Sequence, residues 1–502
     1  MKSFMKYILC APLLSLFLLT SCEVKEIKAY DVLKDPVQIF PDYTAITLPP
    51  NIAPINFSIE AEGEQFQVKI SASKGHPILL KTNKEVQIPI KKWKALISQN
   101  LNDTLHIEVF VRRESKWYRY PVISNFIAPD SIDRYLTYRL IEPGYRYWRE
   151  MGIFQRNLES FDEQPILTNR FSSDEYKSTQ CMNCHSFQNY GTDRFLFHLR
   201  TGKGGTVFYD KGTYRKINMR QDSALSAAVY PAWHPSLNLV AFSTNKTSQA
   251  FHMYNPQKVE VLDTYSDLVL FDVEKKKLTP IFRTDSILET FPTWSPDGKW
   301  LYYCAASNLP SYTDKATHTA EMYKNYTEVR YHLLRIPFDQ DTHTFGAPDT
   351  IVRIHNTKAS LSFPRVSPDG RYLLFTASAY GTFSIWHKSS ELYVVDLQTM
   401  QMSALKAANS KEADSYHSWS SNGRWIAFSS RRLDGQYTRT FITYFNKAGI
   451  ASKAFLLPQK SPTINQTLYK AFNVPELSRE AVKTTYRELE RVAAQEAEPL
   501  KK

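Results

Sequence analysis

Phe291-Pro292-Thr293-Trp294-Ser295-Pro296-Asp297-Gly298-Lys299-Trp300-Leu301-Tyr302-Tyr303 returns as Phe363-Pro364-Arg365-Val366-Ser367-Pro368-Asp369-Gly370-Arg371-Tyr372-Leu373-Leu374-Phe375. Weaker copies are Tyr230-Pro231-Ala232-Trp233-His234-Pro235 with Val240-Ala241-Phe242, and Tyr416-His417-Ser418-Trp419 with Asn422-Gly423 and Ile426-Ala427-Phe428. In all four, the Trp or Val stands nine residues before the closing aromatic. Each copy reads as strand, tight turn, strand, because Gly or Asn accepts the positive φ of a hairpin turn. A third strand follows in Asp267–Asp272 and Glu391–Asp396. Repeats of about four strands predict a β-propeller. Five or six blades are expected, a sixth being assembled from flanking segments, with Trp233, Trp294 and Trp419 packed between blades.

The Ser-Pro-Asp-Gly turns resemble those of the TolB-like propeller family, over about Cys181 to Pro458. Two copies are close to that pattern and two are degraded. The Trp or Val positions of the copies lie 61, 72 and 53 residues apart, longer than the ~40–45 of a compact blade. The excess is assigned to loops at Lys246–Ser266, Asn308–Val329 and Tyr380–Ser390, and rim loops are where propellers bind partners.

The rest of the chain reads as all-β with a helical end. From Ile55 to Phe126 the pattern alternates: Phe66, Val68 and Ile70 share one face, with Gln65, Gln67 and Lys69 on the other. Leu105, Ile107, Val109 and Val111 repeat this, so 55–126 is predicted to be a β-sandwich. A Tyr/Arg-rich connecting segment, 127–175, is expected to start with a short helix after Asp130 and to pack structurally. The propeller is placed at 176–460. In the tail, 461–502, Val482, Tyr486, Leu489 and Val492 share one face of a docked helix. At 502 residues the chain exceeds one core, and 43% hydrophobic with 14% aromatic residues excludes overall disorder.

Met1 to Leu19 has the build of a secretory signal, with Lys2 and Lys6 before an apolar run too short to span a membrane comfortably. It ends in Leu19-Thr20-Ser21-Cys22, which resembles a bacterial lipobox. That resemblance implies a signal peptide at 1–21, a lipidated Cys22 and a tether at 22–54; the plainer alternative is an ordinary signal peptide that contains a cysteine. The implied location is the cell envelope, anchored in the outer membrane. The net charge is +12, or +10 without Lys2 and Lys6, and it forms no long basic run. This favours anionic surfaces or ligands in general and gives no sign of nucleic acid.

Cys181-Met182-Asn183-Cys184-His185 matches C-x-x-C-H, the attachment signature of c-type haem. Two thiols one turn apart add to the two vinyl groups, and the next residue turns its imidazole to the iron. It also resembles a subgroup of exported TolB-like proteins carrying this motif at the propeller entrance. Two other readings stay open: a reducible Cys181–Cys184 disulfide beside His185, and a zinc site needing further ligands. Phe195-Leu196-Phe197-His198 aligns with Trp300-Leu301-Tyr302-Tyr303, placing the motif in the first strand of a modified blade. His198 is the named candidate for a sixth iron ligand, against a packed or hydrogen-bonded histidine; Met219, His234 and His417 are its rivals. The Gly202–Thr206 stretch lets backbone approach a porphyrin but lacks phosphate-loop spacing. Cys304 reads as a buried thiol.

Neither G-x-S-x-G nor H-E-x-x-H occurs, so no hydrolase or metalloprotease machinery is visible and an enzyme is not the favoured reading. The expected role is electron transfer or redox sensing, with an envelope redox partner at the rim. The alternative is a haem-free propeller that binds envelope proteins or glycans.

Overall fold

The computed structural model describes residues 24–142, 150–170, 181–200, 203–220, 226–253, 257–282, 284, 286–307, 309–310, 314–353 and 358–501, without the side chains of residues 184, 315 and 316. The chain is mostly β. Among the described residues no helix is long and apolar enough to cross a membrane. Cys22 and the leader lie outside the described residues.

The N-terminal part holds a seven-stranded sheet, a three-stranded sheet and the helix Ile90–Ser98. The alternating residues behave as read: Phe66, Val68, Ile70, Leu105, Ile107, Val109 and Val111 are all buried. Gln67 departs from its polar face. It is buried because its amide donates to Lys25 O at 3.0 Å, so the N-terminal segment covers that side. The strands Asp31–Val32 and Thr47–Leu48 join the large sheet, so it recruits residues ahead of Ile55. Trp93 anchors the helix, with its indole N–H donating to Ile52 O at 2.9 Å.

Six further sheets follow, and their first strands touch in sequence: Cys181–Phe187, Val229–Trp233, Leu288–Trp294, Ser360–Val366, Asp414–Trp419 and Ala471–Ser478, which returns to the first. The arrangement is propeller-like. The Ala471–Ser478 strand pairs with Tyr135–Ile141, which continues into Met151–Asn157 and Glu163–Thr168. One sheet is thus built from segments some 300 residues apart. Among the described residues no helix follows Asp130 in the connecting segment; Tyr135–Ile141 is a strand because its β-rich YLTYRLI run has partners on both edges. The tail likewise contributes a strand before its helix, Tyr486–Ala494. That helix starts at a Thr485/Glu488 capping box and buries Leu489 and Val492.

The tryptophans tie neighbouring first strands together. Indole N–H groups of Trp233, Trp294 and Trp419 donate to Ser186 O at 3.2 Å, Ala232 O at 3.0 Å and Arg365 O at 3.0 Å. Each bond reaches back to the preceding sheet. Lys246–Ser266 is not a loop. It extends a hairpin whose pairing runs to Phe251↔Val259, sustained by buried Val259, Val261 and Leu262. Asn308–Val329 contains the helix Lys315–Lys324, and Tyr380–Ser390 a single 3₁₀ turn at Ser384–Trp386.

Candidate functional site

Every first strand is interrupted at the same place by a β-bulge, where two residues oppose one. The leading bulge residue is Tyr230, Phe291, Phe363, Tyr416 or Val474 in five sheets, each with φ between 46° and 54°. In the Cys181 strand the bulge falls between Asn183 and Ser186, so residue 184 holds that position. The second bulge residue is His185, Pro231, Pro292, Pro364, His417 or Pro475. The next is Ser186, Ala232, Thr293, Arg365, Ser418 or Glu476. Stacked around the ring, these three layers form much of the wall of a central cavity of about 1680 Å³.

The sequence reading matched Phe195–His198 to its repeat but missed this equivalence. Cys184-His185-Ser186-Phe187 is the same unit as Tyr416-His417-Ser418-Trp419 and Phe291-Pro292-Thr293-Trp294. The Ser-aromatic ending was the available signal.

His185 is 5% exposed and lines the cavity, and neither ring nitrogen has a hydrogen-bond partner among the described residues. Its Nε2 lies 3.9 Å from Glu476 Oε2. Burial, helped by the Arg139 guanidinium, lowers its pKa to about 3, while the Val474 and Thr137 backbone, near the ring but outside good hydrogen-bond geometry, pulls the other way. The imidazole is therefore neutral, with its lone pair unspent. Glu476 accepts from Phe187 N at 2.9 Å, and burial raises its pKa to about 7 against the pull of that N–H and of Arg365.

Cys181 is buried and also lines the cavity. Cys184 belongs to the strand, but its side chain lies outside the described residues. His198 stands in the cavity wall across the ladder from Asn183, with Nδ1 at 2.9 Å from Thr206 Oγ1 and a pKa lowered to about 3 by burial and Arg200. Of its rivals, His417 shares the ring layer of His185. Its Nδ1 is 3.4 Å from Thr376 Oγ1, and its Nε2 is buried without a partner. His234 is engaged at both nitrogens, by Gly298 O at 3.1 Å and Leu237 N at 3.0 Å. Met219 is sealed in the core. Gly205 (φ +141°) makes room for the C-terminal tail, since a Cβ there would meet Ala497 Cβ at 3.0 Å. Cys304 is fully buried, which pushes its thiol pKa up.

The donor chemistry of this wall fits a haem through His185, an orphaned neutral imidazole beside open space. The thiol spacing fits less directly. A strand rises ~3.3 Å per residue, so residues 181 and 184 stand about 10 Å apart along an ideal one, not one helical turn. Attachment at both thiols requires this stretch to leave its ladder. Cys181, Met182 and Phe187 are buried in a core cluster, so that change would have to draw them out of it. Among the described residues no three His, Cys, Asp or Glu groups stand close enough to hold a metal ion.

No family model and no curated protein matches the chain. Similar solved structures include an oligogalacturonate lyase in complex with manganese, at 12% identity and TM-score 0.37, covering 65% of this chain and 74% of that one. An oligogalacturonate lyase from Vibrio parahaemolyticus has 11% identity and TM-score 0.34, covering 83% and 98%. A variant of the Synechocystis apocarotenoid oxygenase has 10% identity and TM-score 0.37, covering 86% and 95%. All three scores are below 0.5 and support no inference about activity.

Proposed function

We propose that the chain is an envelope protein, lipid-anchored at Cys22, with an N-terminal β-sandwich and a six-bladed TolB-like propeller. In this reading the propeller carries one c-type haem and serves in electron transfer or redox sensing. Cys181 and Cys184 would hold the group covalently, and His185 and His198 are the proposed ligands. When bound, haem supplies one-electron exchange at its iron. The observation that carries the reading is His185: neutral, unpartnered and facing the cavity directly after C-x-x-C. Burial keeps protons off this imidazole, and the protein's net positive charge favours an acidic redox partner.

The alternative is a haem-free propeller that binds envelope proteins or glycans. It is favoured by the strand conformation of Cys181–Phe187, which matches the first strands of its neighbours.

Absorbance separates the two. Protein matured with cytochrome c assembly machinery should give a pyridine haemochrome band that survives acid-acetone extraction. Cys181→Ser or Cys184→Ser should leave at most one thioether, while His185→Ala should keep attachment and change the spectrum and potential. Haem-free protein with an oxidised Cys181–Cys184 pair would refute the haem reading.

A further inference from the structure

The leading bulge residues form an arc of aromatic rings on one side of the channel. Centroids are 4.6 Å apart for Tyr230–Phe291, 4.0 Å for Phe291–Phe363 and 4.9 Å for Phe363–Tyr416. The other two ring positions, Val474 and residue 184, are not aromatic. Four sheets thus spend strained, positive-φ positions on aromatic rings that line the cavity.

Arg365 lies two residues beyond Phe363 and lines the same cavity. It is a cation short of partners. Its Nη1 donates to the carbonyl of Pro364, its own neighbour, at 3.2 Å. Burial lowers its pKa, and Glu476 acts on it through space without forming an ion pair. One oxygen of Glu476 accepts from Phe187 N at 2.9 Å. The ring neighbours of Arg365 in its own layer are Thr293 and Ser418, which are uncharged and cannot neutralise it. The guanidinium thus has a carboxylate acting on it through space but, among the described residues, no direct ion pair, which leaves its fork open to an anion in the cavity.

We propose that the channel binds a small organic anion with a flat apolar body, its acid group on Arg365 and its body against the Phe291–Phe363 arc. The acid would use the planar fork of Arg365, and the body would lie along the cavity-lining edge of the arc, where Tyr230 and Tyr416 are only half-buried while Phe291 and Phe363 pack on each other behind them. This inference does not rest on the haem reading, since neither Arg365 nor the arc belongs to the C-x-x-C-H strand.

Isothermal calorimetry with 2-naphthoate and its neutral analogue 2-naphthamide tests it on the full-length protein. Naphthoate should bind wild type more tightly than naphthamide. Arg365→Gln should weaken naphthoate about tenfold or more and leave naphthamide unchanged. Thr293→Glu, which sets a carboxylate beside the intact guanidinium, should cause the same selective loss and decides the matter if Arg365→Gln does not fold. Binding should persist in Cys181→Ser/Cys184→Ser protein, which holds no thioether-attached haem. The proposal is overturned if naphthoate does not bind, or if the folded Arg365 and Thr293 variants bind it as wild type does. Either result leaves the haemochrome test untouched.

Discussion

Gly298→Ala and Gly370→Ala make the same change in the same Pro-Asp-Gly turn, yet the structure separates them. Both glycines are left-handed, at φ +71° and +74°. Both variants therefore carry the cost of placing a Cβ in that region, about 1 kcal/mol. At Gly370 nothing lies within 4 Å of the added methyl. At Gly298 the methyl would fall 2.3 Å from His234 Nε2. That ring cannot step aside cheaply. It is fully buried, bonded to Gly298 O and Leu237 N, and set edge-on against Trp294 at 4.8 Å. Displacing it strands buried polar atoms, which costs a further 1–3 kcal/mol or so. Urea unfolding should therefore show a loss of about 1 kcal/mol for Gly370→Ala and about 3 kcal/mol for Gly298→Ala. In a His234→Ala background, Gly298→Ala should fall back to about 1 kcal/mol, because the clash is gone. Equal losses at the two glycines, or no coupling to His234, would show that the inter-sheet contact is not what the turn protects.

Burial and the nearby Asp267 raise the pKa of Glu289 to about 8, and its side chain is almost fully enclosed. The folded state then holds this proton more tightly than the unfolded chain, so stability is full below about pH 4.5 and falls as pH rises toward 8. The loss is at most about 5 kcal/mol, and Glu289→Gln should flatten it when urea midpoints at pH 5 and pH 9 are compared with wild type. Trp419→Phe removes the indole bond to Arg365 O and leaves a small void, costing about 1–2 kcal/mol by the same assay; an unchanged midpoint would deny the tie any energetic role. Cys22→Ala should release the protein from membranes on fractionation, and retention would place the tether elsewhere.

The local units were legible because their causes are local. Ser295-Pro296-Asp297-Gly298 specifies its turn with its own atoms: Ser295 Oγ donates to Asp297 Oδ1 at 2.5 Å, Lys299 N donates to the same oxygen at 3.1 Å, and the glycine takes positive φ. The tail helix was readable for a similar reason, since its apolar face and capping box lie within a few turns of each other. The Lys246–Ser266 stretch misled because the surplus over a compact blade was assigned to a loop, while cross-strand pairing holds it in a hairpin. The candidate site was half visible. C-x-x-C-H stood out as a motif, but its equivalence to the Phe-Pro-Thr-Trp unit is a matter of strand register, which the Ser-aromatic ending only hinted at and the ladders fix.

By itself, then, the sequence determined the repeated hairpins, the tryptophans that tie them and the place of the C-x-x-C-H motif in a first strand, all of which act over a few residues or one repeat. Only the tertiary structure decided that Ala471–Ser478 pairs with Tyr135–Ile141, because a strand edge binds any compatible backbone and carries no address for a partner 300 residues away. Ring closure also made neighbours of His185, Glu476, Arg365 and His417, which are scattered from position 185 to 476. Their burial, their altered protonation and the cavity between them arise from that closure, since desolvation exists only once distant walls meet.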